Sequence, residues 1–537
     1  MQKKTTKFSN ILLVLLAILF PIFFSFFISF KIGITWDEPS YILSGIKNFE
    51  WFTNLNSNSF SNANITALWK INIEHPPFAK IGFGLFYTLF GHNLGIIQAA
   101  RIFNCFIFGI FTGITFISLT NLFSKKVAGI SLILLLCLPR LIGYSYLATL
   151  DFPMAILCVL TTFAFFKGIT DNKYLIITAL CFACANLTKF NALFTITPLF
   201  IWGLIYYPKK VINSMVVITI ITATLFILGW PWMYHNTKAR LLNYLNNKSG
   251  HVLLSSQSKK TPHLKLISKP PSKVPVYYLG EQYKNNNYPA PWHYVPVLFF
   301  TTIPVTILLL FLSGIIKFLI TKKNHPFETL ILISFFCILL IYMIPIFPRY
   351  GGVRFFLQAY IFLAMIAASG LIFLISKIQK YFNINKYIIL TIILTTLIPA
   401  FKSYFYNPSF YYNQITNGIK GASNIGLPFE NVSSAFDENM IKYINKNIPE
   451  NSKIALTPFG GILRQYYCKS NLIRKDLKII SNINEADYAV IPAHKNFFDD
   501  KLRKLFEDKK NTIYENSING VTFCKIIKLT STLILPY

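Results

Sequence analysis

Residues 9–31 read SNILLVLLAILFPIFFSFFISFK, and the chain then runs through Ile32-Gly33-Ile34-Thr35-Trp36-Asp37-Glu38-Pro39. A membrane helix needs roughly 20 predominantly apolar residues. The first stretch therefore reads as a span, and the second as the loop at its far end. Lys3, Lys4 and Lys7 precede the span. This pattern imitates a secretory signal, but the apolar run exceeds a typical h-region and no small-x-small site follows, so a retained first helix is expected.

Working outward, the same alternation of apolar run and basic punctuation continues to about residue 400. Further spans are expected near 97–122, 127–145, 152–167, 173–188, 191–207, 212–232, 294–316, 327–346, 355–375 and 387–401. Of these, 173–188 and 191–207 are short and separated by Thr188, Lys189 and Phe190. The 537 residues are 54% apolar and only 13% charged, with a mean hydropathy of +0.49. Soluble domains carry roughly twice that charge. The expected fold is a polytopic α-helical membrane protein of about eleven transmembrane helices with a small C-terminal soluble α/β domain.

The chain holds 51 Lys and Arg against 20 Asp and Glu, a net charge of +31. Residues 1–400 contain only eight acids: Asp37, Glu38, Glu50, Glu74, Asp151, Asp171, Glu281 and Glu328. Two parts follow: a membrane domain, 1–401, with outer loops 32–96 and 233–293, and a terminal domain, 402–537. The short loops at Lys125–Lys126, Lys167–Lys173, Lys209–Lys210, Lys317–Lys323 and Lys377–Lys386 fall on the side of the N-terminal lysines. By the positive-inside rule that side is cytoplasmic, which makes the terminal domain extracytoplasmic. The loop 233–293 is itself basic, with nine Lys and Arg against Glu281. It reads either as a solvated basic loop or as an attractor of anionic lipid. The basic residues punctuate apolar spans and form no aromatic-and-basic module, so nucleic-acid binding is not expected.

Six of the eight cysteines lie within spans without metal-ligand spacing, while Cys468 and Cys524 share the terminal domain and would bond if their backbones approached. In that domain the pattern predicts helices at Asp437–Asn447 and Asp499–Asp508 and strands at Lys453–Thr457, Asp487–Pro492 and Val521–Leu529. Asp499-Asp500 reads as a helix cap. The domain holds no complete catalytic constellation, and reads either as an acceptor-recognition module or as a structural lid.

The scarcity of acids makes those at the outer helix ends informative. A carboxylate at an apolar boundary is costly unless paired or useful. Asp37 and Glu38 precede the amphipathic stretch 39–52, and Asp151 stands in Leu150-Asp151-Phe152-Pro153 at the start of a span. Each also fits a helix cap. A second outer group is Glu74-His75-Pro76-Pro77-Phe78-Ala79-Lys80, followed by Arg101 and Arg140 at outer span ends. Carboxylates and cations converging at one membrane face suit transfer from a lipid phosphate, the acid taking the acceptor's proton and the cations stabilising the departing phosphate. For each cation taken singly, snorkelling is the bland alternative.

Trp-Asp-Glu-Pro at 36–39, His-Pro-Pro-x-x-Lys at 75–80, Ala-Arg at 100–101, Leu-Asp-x-Pro at 150–153 and Leu-Thr-Lys-Phe at 187–190 come in the order of a known family. Gly229-Trp230-Pro231-Trp232, Val276-Tyr277-Tyr278-Leu279-Gly280 and Pro291-Trp292-His293-Tyr294 continue it. The chain resembles the GT-C membrane glycosyltransferases of family 39, the protein O-mannosyltransferase and aminoarabinose–lipid A transferase group, over residues 30–375. The resemblance implies a GT-C fold and inverting transfer of a sugar from a polyprenyl-phosphate lipid donor to a protein, lipid A or glycan acceptor, in a bacterial inner membrane. It makes Asp37 the general base and Glu38 and Asp151 supporting acids. It assigns the donor side to Lys80 and Arg101, with His75, Arg140 and Lys189 nearby. The family's Arg-Tyr-x-x-Pro-x-x-Pro stretch appears here without its prolines, as 354–361, leaving Arg354 and Arg349 as alternatives. No cofactor is expected. His75, His251, His263 and His293 leave room for a divalent ion on the outer face, but their spacing is not a ligand motif and no metal is predicted. An oligosaccharyltransferase or ligase, or a secondary transporter, is the alternative class. The transporter would place charges in mid-membrane and show internal repeats.

Overall fold

The computed structural model describes residues 2–249, 274–283, 290–321, 325–344, 347, 349, 351–382, 384–429, 437–458, 461–469 and 472–529. Expectations resting on Lys322, Lys323, His251, His263 and most of the basic loop lie outside them. Helices α1 (Gln2–Ser29), α2 (Glu38–Thr53), α3 (Asn62–Trp69) and α4 (Phe78–Leu122) form the first third, followed by α5 (Lys125–Leu136), α6 (Pro139–Ser145), α7 (Asp151–Gly168), α8 (Asn172–Asn186), α9 (Ile196–Tyr206) and α10 (Pro208–Leu228). Beyond α11 (Thr237–Ser249) and a hairpin of β1 (Val276–Tyr278) and β2 (Glu281–Tyr283) come α12 (Tyr294–Thr301), α13 (Val305–Ile320), α14 (Pro326–Met343), α15 (Leu357–Phe382), α16 (Lys386–Thr396) and α17 (Ile398–Ser403).

Among the described residues seven helices are long and apolar enough to cross a membrane, or nine if each of two bent pairs is one span. The chain is an integral, multi-pass membrane protein. The expected span 127–145 is bent by 81° between α5 and α6, and 294–316 by 111° between α12 and α13. Pro139 and Pro304 stand at these breaks, where a proline can start a helix but not continue one. The short expected spans 173–188 and 191–207 correspond to α8 and to the apolar stretch Phe190–Tyr206, which falls below spanning length. These two account for the difference from eleven. A second correction concerns the first outer loop: 78–94, expected as loop, is helical and runs into the next span, broken only by Gly95 at φ +77°. Local caps agree with the sequence. Ser124 accepts from Val127 N at the start of α5, and Asp171 from Lys173 N at the start of α8.

α7 is the most enclosed span, whereas α1, α10 and the α16–α17 segment are mostly exposed on their apolar surfaces, as lipid-facing helices must be. α2 lies against the first half of α4 at backbone contact. A Cβ on Gly45 would collide with the Lys80 carbonyl, and one on Gly84 with the Gly45 carbonyl. This close approach brings the segment after Asp37 beside the segment after His75.

The terminal domain adds α18 (Gly418–Asn424), α19 (Glu438–Asn447), β3 (Lys453–Leu456), α20 (Gly461–Lys469), β4 (Lys478–Ile480), β5 (Tyr488–Pro492), α21 (Asp500–Glu507), β6 (Thr512–Ile518) and β7 (Val521–Lys528). Its sheet has the order β4-β3-β5-β7-β6, with β3 parallel to β4 and β5 and β7 antiparallel to β5 and β6. The three expected strands form, and β4 and β6 are additions at the edges. Asp499 caps α21 by accepting from Leu502 N at 2.7 Å. Cys468 is exposed on α20 and Cys524 is buried in β7, and both are free thiols, so the conditional disulfide does not form.

The Gly45–Gly84 contact should tolerate no side chain. Gly84→Leu is expected to lower stability by about 1–3 kcal/mol through overpacking, read as a fall in the thermal midpoint of the detergent-solubilised protein. Gly129→Ala, whose Cβ meets open space in α5, should leave the midpoint equal or higher.

Candidate active site

The turn after α1 is built on one buried ion pair. Glu38, in the first turn of α2, receives Arg101 Nε and Nη2, each at 2.7 Å, with Thr35 N and Ala148 N at 2.9 Å. Arg101 also donates to the carbonyls of Ser29, Ile32 and Gly33 at 2.7–2.8 Å. Both side chains are 0% exposed. A guanidinium has five N–H donors, and all five of Arg101 are directed at the protein. Burial pushes the Glu38 carboxyl up, but the Arg101 charge and the hydrogen bonds from Arg101, Thr35 and Ala148 more than offset it and hold the group below its ordinary value. In this geometry Arg101 is fully engaged by the protein as a strut, with the buried Glu38 as its counter-ion.

Asp37 differs from its neighbour. It occupies the cap position of α2 without any side-chain cap bond, so the cap reading fails. Its Oδ2 accepts from Arg354 Nη1 at 2.7 Å, and the side chains are 25% and 11% exposed respectively. Arg354 comes from a 3-10 turn, Gly352–Phe356, before α15. Asp151, likewise not a cap, is fully buried at the start of α7 and accepts from Lys189 Nζ at 2.5 Å through Oδ1, while its Oδ2 is buried without a partner. The two pairs meet at one ring: Lys189 lies 5.0 Å and Arg354 5.4 Å from the Phe355 centroid. Tyr41, one turn along α2, is buried among these charges. Burial first, and then Asp37 and Asp151, push its hydroxyl well above the ordinary value.

The His75-Pro76-Pro77 corner closes another side. Phe78 N donates to Leu187 O at 2.8 Å, tying the corner to the Lys189 loop. The His75 ring stands edge-on to Tyr41 at 5.7 Å. Lys80 Nζ, expected as a contact to the donor phosphate, donates to His75 O at 2.7 Å and Asn72 O at 2.9 Å and so braces this corner. Arg140 donates to Tyr411 O at 3.0 Å and lies over the Tyr412 ring, joining α6 to the chain entering the terminal domain. Arg349 donates to the carbonyls of Tyr342, Met343 and Ala290. The first two are orphan carbonyls at the end of α14, so of the two arginine alternatives it is Arg354 that reaches Asp37. Phe355 and Tyr41 escaped sequence reasoning: with 16% aromatic residues, nothing marks two of them. Among the described residues no group of three His, Cys, Asp or Glu could hold a metal. His293 Nδ1 is bonded to Tyr278 Oη at 2.8 Å.

Comparisons with known proteins agree with this architecture. Residues 74–235 match the family model described as dolichyl-phosphate-mannose-protein mannosyltransferase. No curated protein sequence matches the chain. The crystal structure of ArnT from Cupriavidus metallidurans bound to undecaprenyl phosphate superposes with a TM-score of 0.52 at 12% identity, covering 98% of this chain and 99% of that one. The apo structure of the same protein gives 0.52 at 12% identity, covering 99% and 100%. The motif resemblance is thereby borne out. The chain has an ArnT-like membrane fold, and its residues 74–235 carry the pattern of that mannosyltransferase family.

Breaking the buried strut should be costly. Arg101→Met leaves Glu38 buried and unpaired, a loss of about 3–5 kcal/mol, read as a large drop in thermal midpoint. Adding Glu38→Gln should restore part of it, a recovery that a mere packing defect at Arg101 would not show.

Proposed function

We propose that this chain moves a sugar from a polyprenyl-phosphate lipid to an acceptor hydroxyl on the extracytoplasmic face, with inversion, and that Asp37 is the general base. The observation that carries the reading is Asp37 itself. Of the three boundary acids it alone is partly open, it caps nothing, and it is joined to Arg354 from the opposite end of the membrane domain. The ArnT structure with undecaprenyl phosphate supports a lipid of that kind as donor carrier.

In this mechanism Asp37 accepts the acceptor's proton as the acceptor oxygen attacks the anomeric carbon. The bond from that carbon to the phosphate oxygen breaks with its electron pair, and the polyprenyl phosphate leaves. Arg354 and Lys189, gathered at the Phe355 ring, supply fixed positive charge to that phosphate. Asp151 orients Lys189. Lys80 acts one step back by holding the His75 corner, and Arg101 with Glu38 by fixing the turn that bears Asp37. Fixed cations can perform the electrostatic work, so the step as written needs no metal. The basic short loops support a cytoplasmic N-terminus and an outer site in the inner membrane of a bacterium. The acceptor is a protein, lipid A or another glycan.

The test is transfer of labelled sugar from undecaprenyl-phosphate-linked hexoses and pentoses by the purified protein. Asp37→Asn, nearly isosteric, is expected to lower the rate by about 10²-fold or more, the contribution of a positioned base. Undiminished transfer in the variant overturns the role of Asp37. Absence of transfer from every such donor by the wild type overturns the donor class.

A further inference from the structure

Trp36, the residue before Asp37, is held by the terminal domain. Its indole stacks on Phe497 with centroids 5.5 Å apart and planes within 9°, and the His494 ring lies 5.8 Å away. Residues Lys495–Phe497 form a 3-10 turn directly after β5, the central and wholly buried strand of the sheet. Ala493 N donates to Phe523 O at 2.7 Å, which fastens the root of the turn to β7. The outer hairpin grips the turn from another side. Gln282 Nε2 donates to the carbonyls of Lys495 and Phe498, Asn496 Nδ2 donates to Pro275 O at 3.1 Å, and Lys495 lies over the Tyr277 ring. His494 is buried, and burial lowers its pKa to about 4, so near neutrality it packs as an uncharged ring. Three separate segments thus form a firm wall against Trp36. Asp37, one peptide bond away, has no cap bond to its own helix and is tied on the bundle side to Arg354.

We propose that the 494–497 turn of the terminal domain is a positioning element for the transfer step: by clamping Trp36 it fixes the backbone that presents Asp37 beside Arg354. The terminal domain then governs turnover rather than donor binding. The inference rests on Asp37 acting as base. A displacement of the reacting group by an ångström costs far more in rate than in ground-state affinity, so the effect falls on kcat.

The experiment compares full-length wild type with Phe497→Ala, which removes the stacked ring, and Phe497→Tyr, which keeps it. The probe is whichever undecaprenyl-phosphate-linked hexose or pentose the wild type turns over. Phe497→Ala is expected to lower kcat about tenfold while KM for the donor changes by less than about twofold. Phe497→Tyr should retain most of the rate. Amide hydrogen exchange at residues 33–40 should quicken in Phe497→Ala and stay unchanged in Phe497→Tyr. A wild-type kcat in Phe497→Ala, a loss confined to KM, equal damage from both substitutions, or unchanged exchange at 33–40 each overturns the clamp. Should Phe497→Ala not fold, Gln282→Ala, which loosens the turn from the hairpin side, must show the same kcat-selective loss at smaller size, or the clamp is overturned. If the wild type transfers no sugar, the proposed reaction falls, and the exchange measurement alone decides whether the turn holds the Trp36-Asp37 backbone.

Discussion

The buried pair Glu38–Arg101 is the constraint on which the face bearing the three acids depends. Five donors of one guanidinium and four acceptor contacts of one carboxylate tie together the end of α1, the 32–38 turn, the start of α2, the middle of α4 and the Ala148 loop before α7. Two ions are removed from water here, and each is compensated completely, which is the condition under which such a pair is tolerated in a membrane-facing interior. Asp37 and Asp151 lie at the two ends of what it holds.

From that strut a division of labour follows. Three acids each have a cation, yet the pairs differ in openness. Glu38–Arg101 is closed, Asp151–Lys189 nearly so, and Asp37–Arg354 is partly accessible. Only the third pair is open to a substrate, and the second lies near it at the Phe355 ring. The closed pair ties α1, α2, α4 and the Ala148 loop together around the turn that carries Asp37. Around this core, Arg349 is bonded to carbonyls at a helix end and Lys80 to carbonyls of a proline corner.

Much of this was legible in the chain. The apolar runs, the scarcity of acids, the terminal α/β domain and the family resemblance were legible from run length, charge and ordered motifs, because these are properties of consecutive residues. The short helices and bends were not, since 173–188 and 191–207 carry apolar runs whose length alone does not say whether they cross. The helix through 78–94 was hidden inside the expected loop 32–96, and only Gly95 breaks its backbone. Arg354 stands in a stretch that lacks the family's prolines, and its partner lies 317 positions away.

What the sequence determined by itself is therefore the solvent each segment prefers and which residue types are too costly to be there idly. It singled out Asp37, Glu38 and Asp151 among eight acids in 400 residues. Only the tertiary structure decided which of the three is shielded and which is open. Ion pairing at 2.5–2.7 Å between residues 38 to 317 positions apart depends on how helices cross, and that is set by contacts such as Gly45 on Lys80 that no local pattern encodes.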